Sequence, residues 1–345
     1  MRAAVFEGPG NIRIQQVPDP EVELPTDAVV RVVSAAICGS DLWSYRGYGS
    51  RTPGARIGHE FVGVVTDVGA DVRTVRAGDL VLSPFTWSDG TCEYCLSGLQ
   101  TSCVDGGIFG EPGHDGAQGE ALRVPHADGT LVVVPPPLRD VDPGMLLPLC
   151  DVLATGHHAA RSAGVRFGQR VVVVGDGAVG LCAVVAARRL GADSVTLVGH
   201  HEERLELATR LGATDVVLGR GDDAVEQVIT LTGGAHAVLE CVGAQASLDT
   251  AIAVARDGAT IGYVGVPHLV EAVDLGLLFG RNIAIAGGIA PARAYIPELL
   301  TDLALGLLDA GAVLDSTVDL DGVPDGYVAM DTRKSVKVRV DISSA

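Results

Sequence analysis

At 345 residues the chain exceeds what one hydrophobic core commonly supports, so two domains are expected and a disulfide-stapled mini-scaffold is excluded. Apolar residues make up 47%, charged residues 20% and aromatics 4%, which is the composition of a globular chain and excludes a disordered one. The 43 acidic against 25 basic side chains leave a net charge of −18, which argues against nucleic acid or an anionic membrane as partner.

The start, Met1-Arg2-Ala3-Ala4-Val5-Phe6, is interrupted by Glu7-Gly8-Pro9-Gly10 and does not read as a secretory leader, and no apolar run reaches the ~18 residues of a membrane span. Ser343-Ser344-Ala345 matches no lipidation or retention signal, so a soluble cytoplasmic protein is the expectation. Up to about residue 140 the chain reads as short β-branched runs (29–33, 61–68, 80–83, 131–134) punctuated by Gly and Pro, which predicts an antiparallel, barrel-like region with long loops. Pro135-Pro136-Pro137 is a stiff connector. The pattern then changes. Strands are predicted at 171–174, 195–198, 215–218, 237–240, 260–264 and 282–286, and helices at 178–190, 202–211, 224–232 and 245–255. Such alternation predicts an α/β domain, a Rossmann-type doubly wound parallel six-stranded sheet. After Gly287-Gly288 a helix near 294–308 and a strand near 336–340 are expected to return to the first domain, giving domains 1–153 with 290–345, and 154–289.

Gly175-Asp176-Gly177-Ala178-Val179-Gly180 is a G-x-G-x-x-G placed directly after a strand and opening a helix. The first glycine permits the tight turn, the second lets backbone approach a pyrophosphate, and the third lets helix pack on strand. Dinucleotide binding is therefore expected at Gly175, Gly177, Ala178, Val179 and Gly180, with Val242 just past strand 237–240. Where NAD-binding proteins place an acid on the adenosine ribose, at the end of the second strand, stand Gly199 and His200, with Arg204 a helical turn on. Glycine leaves room for a 2′-phosphate that His200 and Arg204 would bind, which favours NADP over NAD. In the other reading His200 and His201 are plain loop residues and Glu202 or Glu203 serves the ribose.

Seven cysteines, odd in number and partly clustered, read as metal ligands before disulfides. Asp89-x-x-Cys92-x-x-Cys95-x7-Cys103 gathers three thiolates and a carboxylate, the donor number of a closed structural zinc site, with Asp89 its weakest member. A second set is dispersed over Cys38-Gly39-Ser40-Asp41, Gly58-His59-Glu60, and Cys150-Asp151 before Thr155-Gly156. One thiolate, one imidazole and one carboxylate leave a coordination position open, as a catalytic zinc requires. Taken singly, Cys38 reads equally as a core thiol and His59-Glu60 as a surface pair.

In this order the motifs resemble the zinc-dependent medium-chain alcohol dehydrogenases over essentially the whole chain. Gly58-His59-Glu60-x-x-Gly63-x5-Gly69 is similar to that family's zinc signature, and the character is that of its bacterial threonine-, polyol- and secondary-alcohol branch. The resemblance implies a GroES-like β-barrel catalytic domain carrying Zn2+ at both sites beside the Rossmann domain. It implies Cys38, His59 and Asp151 as catalytic zinc ligands, with Cys150 the runner-up for the third, and Glu60 as a transient ligand or neighbour. Ser40 would take the substrate's proton and Thr155 would contact the nicotinamide. Asp89, Cys92, Cys95 and Cys103 would hold structural zinc, although Asp89 stands where the family has a cysteine, which leaves that site weakened, altered or empty. Trp43 stands where relatives often have a relay histidine, so the proton would leave through the cofactor ribose, water or another histidine; equally, Trp43 would wall the substrate pocket, and Phe85, Trp87, Ile108 and Phe109 read either as further lining of an apolar or mixed cleft or as plain packing. The implied reaction is hydride transfer between a small-molecule alcohol, or its aldehyde or ketone product, and a nicotinamide cofactor, by a homodimer or homotetramer. Two other readings of the fold are a zinc-independent quinone or enoyl reductase, against which the Cys38, His59 and Asp151 set counts, and a non-catalytic dinucleotide-binding redox sensor.

Overall fold

The computed structural model describes residues 1–49 and 51–342, so Ser343-Ser344-Ala345 lies outside the described residues. Two compact units emerge: Met1–Asp151 with Pro291–Gly306 and Val313–Ala345, and Val152–Ala290 with Leu307–Ala312. Residues 307–312, expected in the first domain, group with the second unit.

In the first unit the β-branched runs pair antiparallel around the strand Ala28–Ala36, which is flanked by Glu60–Val68 and, on its other edge, by Ala121–Val124 and Val338–Asp341. Leu80–Ser83 and Val132–Val133 continue the sheet outward. Nearly every residue of Ala28–Ala36 is buried, and Val30, Val32 and Ala35 pack with Phe61, Val65, Val81 and Leu122 in one core. The register opposes Ala36 to Glu60. Residues just past the end of one strand and just before the start of the other are thereby brought side by side, and these are Cys38 and His59. Strand Ser316–Asp319, parallel to Val338–Asp341, and helix Val323–Asp331 were not expected. The strand alternates half-buried with exposed residues and so lacks an apolar run, and the helix carries Pro324 and Gly326.

In the second unit six parallel strands stand in the order Asp215–Leu218, Ser194–Gly199, Arg170–Val174, Ala235–Glu240, Ala255–Tyr263, Ala284–Gly287. The order reverses at Arg170–Val174, whose valines are buried on both faces, as a central parallel strand requires. The last strand begins later than expected because Asn282, at φ 52°, closes helix Leu275–Arg281 in the left-handed conformation. Helix Val152–Ser162, also unanticipated, lies on the sheet through glycine contacts: an ideal Cβ on Gly262 would stand 2.0 Å from the Ala159 carbonyl oxygen. No helix among the described residues is long and apolar enough to cross a membrane. Gly262→Val forces this helix off the strand and is expected to lose about 1–3 kcal/mol of stability through overpacking, read as a lower midpoint in denaturant unfolding.

Candidate active site

Strand Ala28–Ala36 runs into Cys38, strand Glu60–Val68 starts directly after His59, and helix Pro143–Cys150 delivers Asp151 at its C-terminus. The Cys38 thiol donates to Asp151 Oδ2 at 3.1 Å, and His59 Nε2 lies 3.4 Å from the same oxygen. One donor atom each from Cys38, His59, Glu60 and Asp151 lies within 4.8 Å of the others, and all four residues are buried. Cys150 is turned elsewhere, its thiol donating to the Phe61 carbonyl at 3.3 Å.

The cluster confines several potential anions in apolar surroundings, and their compensation is specific. Lys337 Nζ donates to Glu60 Oε1 at 2.5 Å and to the Ile37 carbonyl at 3.3 Å, while the buried Glu60 Oε2 has no hydrogen-bond partner. Behind His59, Nδ1 stands 3.6 Å from Asp41 Oδ1; the other Asp41 oxygen accepts the Cys38 amide at 3.1 Å, and Arg51 lies 3.5 Å from Oδ1. No hydrogen bond forms at the His59–Asp41 separation, and Asp41 Oδ1 is itself buried without a hydrogen-bond partner, so Asp41 acts on the ring through its charge. Burial, reinforced by the Asp151 charge, pushes the Cys38 thiol up to about 11. For His59 burial opposes the charged form, yet the Asp41 charge and the hydrogen bond to Asp151 outweigh it and raise the imidazole well above its ordinary value. Burial likewise opposes the charge on Asp151, but His59 and then Lys337 hold its carboxyl well below the usual range. A buried thiol, imidazole and carboxylate converging beside an unsatisfied carboxylate oxygen fit a zinc ion with one position open, and a divalent cation would hold the thiol as thiolate. Asp41, Arg51 and Lys337 were not among the expected residues. Asp41 sat unassigned within the Cys38 motif, and Lys337 lies 277 residues from Glu60 with no local signal.

In the cysteine loop, donor atoms of Asp89, Cys92, Cys95 and Cys103 also lie within 4.8 Å of one another. Asp89 Oδ1 accepts the Thr91 and Cys92 amides at 2.7 and 2.9 Å, and the Asp89 amide donates to Cys103 Sγ at 3.2 Å. Although burial opposes it, these amides hold the Asp89 carboxyl well below the usual range. Burial pushes the Cys95 thiol up to about 12. Leu96, Leu99 and Val104 are exposed around this loop, so little apolar burial secures it and a bound ion would supply the crosslink. A carboxylate ionised at neutral pH beside three thiols fits such an ion.

The glycine turn has φ 116° at Gly175. An ideal Cβ on Gly175 would meet Val242 Cγ2 at 2.6 Å and one on Gly180 the Gly175 carbonyl oxygen at 1.8 Å, whereas at Gly177 nothing lies within 4 Å. Gly177 caps helix Ala178–Arg189 without any side-chain hydrogen bond, so the helix presents its first amides to an anion, and the turn fits a pyrophosphate. The expected room beside Gly199 is not there: an ideal Cβ would lie 2.6 Å from both Cβ and Oδ2 of Asp176. Asp176 Oδ2 accepts the His200 and His201 amides at 2.7 and 3.0 Å and lies 2.9 Å from His201 Nδ1, and Arg204 Nη1 is 4.0 Å from Oδ1. A carboxylate thus stands against position 199 from the second position of the fingerprint, where the motif specifies no residue type.

Ser40 is exposed and caps the short helix Asp41–Tyr45 without a side-chain bond, and Thr155 is buried on helix Val152–Ser162 of the second unit. Trp87 and Phe109 belong to the core of the first unit, with ring centroids 5.4 Å apart. Phe85 instead sits edge-on to His59, with centroids 6.3 Å apart, and Trp43 packs edge-on to Tyr48.

A GroES-like β unit with a thiol–imidazole–carboxylate cluster, in one chain with a doubly wound sheet and its glycine turn, is the architecture of a zinc-type dehydrogenase. The family described as alcohol dehydrogenase GroES-like domain matches residues 24–136, and that described as zinc-binding dehydrogenase matches residues 178–305. The chain is 35% identical to zinc-type alcohol dehydrogenase B of Aspergillus flavus, over 98% of this chain and 80% of that one. It is similar in structure to alcohol dehydrogenase TADH from Thermus sp. ATN1, with a TM-score of 0.93 and 34% identity over 99% of this chain and 100% of that one. A dehydrogenase structure from Sinorhizobium meliloti, solved bound to NADP, matches with a TM-score of 0.84 and 27% identity over 99% of this chain and 98% of that one. The chain belongs to the zinc-dependent medium-chain alcohol dehydrogenase family and is a zinc-dependent alcohol oxidoreductase.

Removing the ammonium that faces Glu60 strands a buried carboxylate. Lys337→Met is expected to lose about 3–5 kcal/mol in denaturant unfolding of the metal-free protein, and Lys337→Met combined with Glu60→Leu is expected to regain most of that loss.

Proposed function

We propose that the protein oxidises a small alcohol, or reduces the corresponding aldehyde or ketone, by exchanging a hydride with a nicotinamide dinucleotide. The observation that carries this reading is the buried convergence of Cys38, His59, Asp151 and Glu60 in a chain whose second unit has an open-amide glycine turn where its strand order reverses. When bound, zinc supplies Lewis acidity toward the substrate oxygen. Cys38, His59 and Asp151 would hold the ion, the Asp41 charge lies behind His59, and Lys337 tethers Glu60 by one oxygen while the other has no hydrogen-bond partner. Ser40, whose side chain is not spent on capping, would take the alcohol proton. Trp43 has no basic atom, so it would not relay the proton, and the exposed Ser40 would pass it to water. Gly175, Gly177, Ala178, Val179 and Gly180 would cradle the pyrophosphate with Val242 alongside, Gly199, His200 and Arg204 would frame the adenosine ribose, and Thr155 would contact the nicotinamide. Asp89, Cys92, Cys95 and Cys103 would hold a second, structural zinc. Ligand thiols need a reducing compartment, and the cytoplasm is the one proposed.

The test is metal analysis paired with turnover. Two zincs per chain are expected. Cys38→Ser and Asp151→Ala are each expected to lose one of them and to lower kcat/KM on alcohols by about 10²–10³-fold, while full turnover after chelation would sink the proposal.

A homodimer or homotetramer is part of this reading. The edge strand Ala284–Gly287 is exposed along its whole length, and Leu275 and Phe279, on the helix that precedes it in the chain, are 74% and 87% exposed. An unpaired apolar edge is what self-association covers. Light scattering is expected to return the mass of two or four chains, and Phe279→Asp to shift it downward.

A further inference from the structure

We infer that Asp176 selects the cofactor: its carboxylate is placed to accept hydrogen bonds from the adenosine ribose diol, so the enzyme binds NAD(H) in preference to NADP(H). This rests on the reading of Gly175 to Gly180 as a dinucleotide turn.

In doubly wound sheets the adenosine ribose lies at the carboxyl end of the second strand, where an acid accepts its hydroxyl hydrogens. Here that strand, Ser194–Gly199, ends without an acid. The side chain found at that point comes from the neighbouring strand's turn instead: Asp176 Oδ2 lies over Gly199, 2.6 Å from where a Cβ would be, and is bonded to the amides of the next two residues. The absent acid has been replaced in space though not in sequence.

The carboxylate is also held in place. Oδ2 faces three donors, the amides of His200 and His201 and the His201 ring, so swinging the side chain away would leave two backbone N–H groups unpaired. Oδ1 is the oxygen left for a ligand, with Arg204 Nη1 at 4.0 Å, outside hydrogen-bond reach. Burial disfavours the charge on Asp176, but the amide of His200 and then His201 prevail and keep the carboxyl below its ordinary value, hence ionised at neutral pH. A fixed anion accepts from a vicinal diol and repels a 2′-phosphate. Arg204, a cation near that point, already stands against Asp176, so its charge is compensated before any phosphate arrives.

The experiment is fluorescence titration of the full-length, zinc-loaded protein with NADH and with NADPH, together with competition by 5′-AMP and by 2′,5′-ADP. NADH is expected to bind at least about tenfold more tightly than NADPH, and 5′-AMP to compete better than 2′,5′-ADP. Asp176→Asn keeps an oxygen for the two amides while removing the charge. It is expected to narrow the NADH-to-NADPH ratio by about tenfold or more, through weaker NADH and stronger NADPH binding. Asp176→Ser, checked for folding by thermal melting, is expected to shift the ratio the same way. Wild-type protein that binds NADPH as tightly as NADH, or variants that weaken both equally as a merely structural residue would, overturns the inference. If none of the four ligands binds, the dinucleotide reading itself fails, an outcome distinct from a failure of Asp176.

Discussion

The constraint on which the first unit depends is the compensation of buried charge. A thiol, an imidazole and two carboxylates share one apolar enclosure within 4.8 Å, and ionised carboxylates there are tolerable only if each faces a specific partner. Lys337, one of the chain's two lysines, is spent on Glu60, Asp41 is spent on His59, and Asp151 lies between Cys38 and His59. The fold follows from this requirement as much as it causes it. The strand Val338–Asp341 joins the edge of Ala28–Ala36, and the residue just before it, Lys337, reaches the acid that opens the opposite neighbour. The returning C-terminal segment is therefore part of the site, not a tail on it.

The second unit faces the complementary problem, because a chain of net charge −18 must bind a cofactor that is itself an anion. Its means are local. Helix Ala178–Arg189 starts without a side-chain cap and leaves its first amides to a ligand, and glycines at 175 and 180 let backbone pack where any Cβ would collide. Asp176 adds an anion inside the same turn, which sets a limit on how much further negative charge the ligand can carry there. Amides open to an anion and a carboxylate held in place thus come from adjacent residues of one six-residue turn.

Much of this was legible beforehand, and for physical reasons. Buried parallel strands read as valine runs and their helices end at glycines, so the sheet strands and most of their helices were found close to their true bounds. Short half-exposed strands such as Ser316–Asp319 leave no such trace, and Asn282 delayed the last sheet strand by closing a helix in a conformation that periodicity does not report. The lobe cysteines are legible because they are close in sequence, whereas Cys38, His59 and Asp151 stand out only through the order of their motifs and its family resemblance, since singly each reads as well as a core or surface residue. For Trp87 and Phe109 the sequence leaves pocket and packing open, because loop proximity does not reveal that two rings face into a core.

By itself, then, the sequence determined composition, the strand and helix grammar, and the chemical types of the donors, since these depend on residue identity and on neighbours within a few positions. Tertiary structure alone decided which donors share an enclosure and which groups balance them: Asp151 over Cys150, Asp41 behind His59, Lys337 across 277 residues from Glu60. It also put Asp176 into the space that Gly199 was expected to leave open. Charge compensation acts through space and falls off over a few ångströms, so chain separation carries no record of it.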